Sequence, residues 1–206
     1  MEEDDLVKLP AEILEDLRAK GWRFFSAGLD AVLLEEARDS ARRAAEASQA
    51  GGHRREWGAV AAAILCASAA CEARVSEYLA HWEAVSGPLP ADLAAIRGKS
   101  DALEQWRLLL RSRAPDYDLA RSREHQHLGC LIRLRDVVAH RNARLRLVGR
   151  VPEQLADCSR QGILPLREAG GGEWPSVVLV HAVAAWAVDA ASRWLSIANE
   201  LMPLRC

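Results

Sequence analysis

Three short constellations in this 206-residue chain carry side chains able to do chemistry. His125-Gln126-His127 offers two imidazoles to a metal. Residues two apart on a helix point about 200° apart, however, so a shared ion is geometrically poor and both histidines are expected at the surface. His127 and Cys130, three apart, can touch, as a base and a thiol nucleophile would. No third partner accompanies them, and a buried small hydrophobe is the simpler expectation for Cys130. The third constellation is Arg135-Asp136-x-x-x-His140, which supplies a cation, a carboxylate and an imidazole. Asp136 and His140, four apart, share a helix face. Arg135 and His140, five apart, diverge by about 140°. A site that needs both cation and imidazole is therefore better formed at a two-fold axis, where a second copy supplies the missing group. The bland alternative is an ordinary Asp136–His140 pair beside a solvated arginine. A glycine-rich phosphate loop, H-E-x-x-H, cysteine–histidine zinc spacing and G-x-S-x-G are all absent from the sequence, so neither a metal nor a cofactor is expected.

The elements that must position these groups read as helices separated by breakers. Pro10 opens a short helix that stops at Gly21. A second runs about Asp30–Gln49 and ends at Gly51-Gly52. The strongest covers about Arg55–Val85, where Trp57, Ala61, Ile64, Leu65, Ser68, Cys71, Val75, Leu79 and Trp82 recur at helical spacing before Gly87-Pro88-Leu89-Pro90. A short helix follows to Arg97. Asp101-x-x-Glu104 resembles a capping box that opens a helix to about Arg113. Beyond Ala114-Pro115 a long basic helix is expected over Leu119–Leu147, then a short helical turn over Pro152–Ser159. A glycine-rich loop over Gln161–Trp174 precedes an apolar helix over Pro175–Leu201. The period is helical throughout, so the expected fold is all-α: an antiparallel four-helix bundle with short accessory helices over residues 30–206, preceded by an N-terminal helical extension over 1–29.

Composition agrees with that class. Half of the residues are hydrophobic, mostly Ala and Leu, while Phe and Tyr are scarce, which favours helix over strand. Seven tryptophans read as bulky fillers between alanine-rich helices. The net charge is −2, yet Arg97–Arg150 holds 13 Lys and Arg against 6 Asp and Glu. A basic middle third in an acidic chain is a candidate phosphate-facing surface, or else a solvated helix face. Five cysteines without C-x-x-C spacing or a leader suggest a reducing cytoplasm. The apolar runs Ala59–Ala73 and Val177–Ala191 are short for a bilayer span, so no membrane segment is expected.

The segment Leu131–Asn142 resembles the HEPN superfamily (higher eukaryotes and prokaryotes nucleotide-binding domain) through its R-x4-H signature, Arg135 to His140, on the penultimate long helix. Asp136 fits the polar residue that follows the arginine in that family. The alanine-rich stretch Ala61–Tyr78 with its embedded acid, Glu72, is similar to a helix of many HEPN proteins. Val183–Trp194 is similar to their closing helix. The likeness covers about Asp30–Leu201.

That resemblance implies a metal-independent endoribonuclease of the toxin or antiphage-defence kind, working as a homodimer with RNA as substrate and an antitoxin protein as partner. His140 would be the general acid or base, Arg135 would stabilise charge on the phosphate, and Asp136 would orient His140. Arg133, Arg141 and Arg144, with Asn142 among them, are the RNA-contact candidates. The rival within the same family is a non-catalytic bundle that binds RNA or a protein.

Overall fold

The computed structural model describes residues 28–97, 99, 101–139, 147–148, 151–166 and 174–203. Within them the chain is all-α. Helices α1 (Leu29–Gln49) and α2 (His53–Ser86) form a hairpin through Ala50-Gly51-Gly52. Gly51 has a φ of 71°, a left-handed conformation that glycine adopts without strain. α3 (Ala91–Arg97) and α4 (Ala102–Arg113) follow, then α5 (Arg123–Ala139). A two-residue antiparallel ladder, β1 (Leu147–Val148) with β2 (Val151–Pro152), leads into a 3₁₀ turn at Glu153–Leu155 and α6 (Ala156–Arg160). α7 (Trp174–Val178) and α8 (His181–Leu201) complete the order.

Small residues let the long helices approach closely. Ala37 and Ala44 of α1 and Ala63, Ala67 and Ala70 of α2 are all fully buried, and the two helices pack along their length. α8 lies against both, burying Ala184, Ala187 and Ala191. α5 closes the helical bundle with Leu128, Leu131 and Leu134, each fully buried. Burying one such leucine is worth about 1.5–3 kcal/mol, so this side of α5 is held firmly against the bundle. Trp106 of α4 fills the centre. Its indole N–H donates to the carbonyl of Cys71 at 3.1 Å, and its ring meets Trp194 edge-on at 5.3 Å.

Asp101 caps α4 as its sequence suggests, accepting the N–H groups of Leu103 and Glu104. Glu104 turns to Arg107 at 2.6 Å, so the observed cap is the aspartate's. Three other expectations need correction. Leu65 lies 38% exposed, because the buried stripe of α2 passes through Ile64 and Ser68 instead. The long basic helix is shorter than Leu119–Leu147. Asp118 folds back on the N–H groups of Ala120 and Arg121, Ser122 caps with its hydroxyl accepting from His125 N–H at 3.0 Å, and Leu147–Val148 is extended. The closing helix is broken at Leu179-Val180. Val180 is extended, and the N–H of His181 goes to the Glu56 carboxylate at 3.0 Å instead of to a carbonyl one turn back. Among the described residues, α2 is long and apolar enough to cross a membrane by length and composition alone, as a buried core helix also can be. Its alanine face is packed inside the bundle. The expected Pro10–Gly21 helix lies outside the described residues.

Candidate functional site around Arg135 and the adjoining tryptophan cavity

Arg135 projects from α5 across to α2. Its Nη2 lies 3.0 Å from Oε1 of Glu72, and its Nε lies 2.9 Å from Oδ1 of Asp136. Arg135 Nε and Glu72 Oε1 are sealed from water, yet neither makes an aligned hydrogen bond. The contacts are thus ionic, with donors that do not point squarely at their acceptors, and such pairs are weaker than a bidentate fork. The Arg135 side chain is 26% exposed and that of Asp136 is 52% exposed. One cation therefore stands at the surface between two carboxylates. Asp136, expected to orient His140, has one oxygen beside Arg135.

The other sequence candidates divide. Arg133 lies on a different face of α5, as its two-residue offset from Arg135 requires, with Nη1 3.8 Å from Cys158 Sγ. It is not brought together with Arg135. His140, Arg141, Asn142 and Arg144 lie outside the described residues; His140 follows directly on Ala139, the last residue of α5.

His125 and His127 are not the surface histidines expected. His125 packs on Trp194 and His127 on Trp186, with ring centroids 5.8 and 5.9 Å apart. Burial lowers the pKa of both, and Arg123 and Arg193 lower that of His127 further. The two rings thus pack on different tryptophans of α8, and no group of three metal-ligating side chains occurs among the described residues. Cys130 is buried as expected, but its sulfur is bonded to Cys158 with Cα atoms 6.0 Å apart. In that state it has no thiol to act as a nucleophile.

Two features escaped the sequence. Glu56, only 1% exposed, joins α2 to the start of α8 and lies 3.5 Å from Nδ1 of His181. A cavity of about 420 Å³ opens between α2, the end of α5 and α7, lined by Arg54, Trp57, Gly58, Ala61, Val138 and Trp174. Gly58 is exposed at its edge, with nothing within 4 Å of where a Cβ on it would stand. Compared with protein-family models, curated proteins and solved structures, the chain matches none of them.

Proposed function

We propose that this protein is a HEPN-like, metal-independent endoribonuclease, a cytoplasmic toxin or antiphage effector held in check by an antitoxin protein. The observation that supports it best is the placement of Arg135. The motif arginine sits half-exposed where α5 meets α2, and Glu72, the acid embedded in the alanine-rich helix, holds its guanidinium at 3.0 Å. In this reading α1, α2, α5 and α8 form an antiparallel four-helix bundle. Two copies join about a two-fold axis, so that Arg135 of one and His140 of the other can share a phosphate.

The reaction follows from those groups. His140 takes the proton from a ribose 2′-OH, whose oxygen attacks the adjacent phosphorus. Arg135 stabilises the added negative charge, and the 5′-oxygen leaves with a proton returned by an imidazolium. The products are a 2′,3′-cyclic phosphate and a 5′-hydroxyl. Arg141, Asn142 and Arg144 contact the strand. The test is cleavage of single-stranded RNA in EDTA by the parent, His140→Ala and Arg135→Ala. Each variant should lose about 10²–10⁴-fold in rate, and a strand with 2′-deoxyribose at the scissile position should stay intact. Parent-like cleavage by both variants sinks the proposal.

A second reading has its own support. Arg135 faces two carboxylates, which leaves little net positive charge for a phosphate. A non-catalytic bundle that binds RNA or a partner protein would tolerate that arrangement. It is distinguished by RNA binding without cleavage.

A further inference from the structure

The tryptophan cavity is large enough to take a small ligand. Its 420 Å³ falls within the usual range for small-ligand pockets. Trp57 and Trp174 are each only partly buried and offer ring surface to the space, while Gly58 leaves the wall between them open. Arg54 lines this cavity and also the cleft on the other side of the α2 start, where Arg43, His53 and Arg55 stand against a single acid, Glu46. Arg43 is already paired with Glu36. Arg54 and Arg55 have no carboxylate partner among the described residues. Cations in the first turn of a helix also oppose its dipole. An apolar cavity lined by two tryptophans, with the Arg54 guanidinium at its edge, fits a ligand that is aromatic at one end and anionic at the other.

We infer that the cavity takes one nucleotide of a single RNA strand, the base against Trp57 and Trp174 and its phosphate at Arg54. This rests on the RNA reading above, but it does not need cleavage. Val138, which lines the cavity, stands two residues before His140, so a strand anchored here is delivered to the R-x4-H segment. The site would recognise any base, because every base presents a π-face, and it would give affinity without strict sequence choice.

The experiment is anisotropy of a fluorescein-labelled 12-nucleotide single-stranded RNA, with the full chain carrying His140→Ala so that the probe survives. Trp57→Ala and Trp174→Ala should each weaken binding about tenfold or more, the usual weight of one base–ring stack. Trp57→Phe should keep most of the affinity. Arg54→Ala should lower the slope of log affinity against log salt by about one unit. Replacing the RNA with an abasic strand of equal length should weaken the parent as much as the tryptophan changes do. The inference is overturned if the folded Trp57→Ala and Trp174→Ala proteins and the abasic strand all bind like their parents, or if the chain binds no RNA. Cleavage by the parent alongside such unaffected binding would sink the cavity and leave the nuclease standing. Tryptophan-dependent binding by a parent that never cuts RNA would do the reverse.

Discussion

Glu56 accepts the backbone N–H of His181 at 3.0 Å although 125 positions separate them in sequence. One carboxylate near the start of α2 thereby satisfies the first orphan donor of α8 from inside the core. Glu56→Ala should cost about 1–2 kcal/mol, the usual effect of removing a helix cap. Glu56→Gln should recover part of it through its amide oxygen. Urea unfolding of the three proteins checks this. Parent-like stability of Glu56→Ala would mean that the contact adds nothing.

The Arg135–Glu72 pair makes a separate prediction. Both side chains are partly exposed and their hydrogen bonding is misaligned, so a double-mutant cycle should give a coupling of about 1 kcal/mol or less. Glu72→Gln should therefore leave the fold intact while freeing the guanidinium, and RNA affinity should rise. A coupling above about 3 kcal/mol would show instead that Arg135 is chiefly structural.

Acid should weaken the fold through His125 and His127. Burial holds both native pKa values below the ordinary 6.5, and Nε2 of His125 is sealed without a partner. Above pH 6.5 folded and unfolded chains are both neutral at these positions and nothing is lost. Below it the unfolded chain binds protons that the native state refuses, so stability falls as pH drops from 6.5 toward the native values. Urea midpoints between pH 8 and 5 should decline, and His125→Gln should flatten the decline. A midpoint that rises on acidification would contradict the assignment.

The Cys130–Cys158 bond closes a loop with a separation of 28 residues between α5 and α6. Reduction should destabilise the protein by about 3–4 kcal/mol, the loop-entropy value for that length. The Cys130→Ala, Cys158→Ala double variant should match the reduced parent. Thermal melts with and without dithiothreitol measure it, and coincident melts would show that the crosslink does not form in solution. In a reducing cytoplasm the thiol form is the working one, and alkylation of protein from lysed cells should then label both sulfurs.

What the sequence made legible follows from how local each determinant is. The α1, α2 and α4 boundaries depend on neighbours within a few residues: Gly51-Gly52, the Gly87-Pro88 break and the Asp101 cap. Reading them needed no tertiary knowledge. The start of α5 was misplaced because Asp118 and Ser122 both offer oxygens to backbone N–H groups, and only the second continues into a helix. The break before α8 was invisible because its cause, Glu56, comes from another helix. The Arg135–Glu72 approach joined two residues that the motif and the alanine-rich helix had each singled out, but their distance could not be read from either. The cavity depends on three helices at once, and the cysteine pair on chain reversal between α5 and α6.

The seam between α1 and α2 changes how this protein should be probed. Ala37, Ala44, Ala63, Ala67 and Ala70 are completely buried, and each already is what a truncation scan would introduce. Replacing every residue in turn by alanine would pass over these positions in silence. Yet a single added methylene here has to push two backbones apart, at about 1–3 kcal/mol. The least bulky residues of the chain are thus among the least free to vary, and only a scan that enlarges side chains will find them.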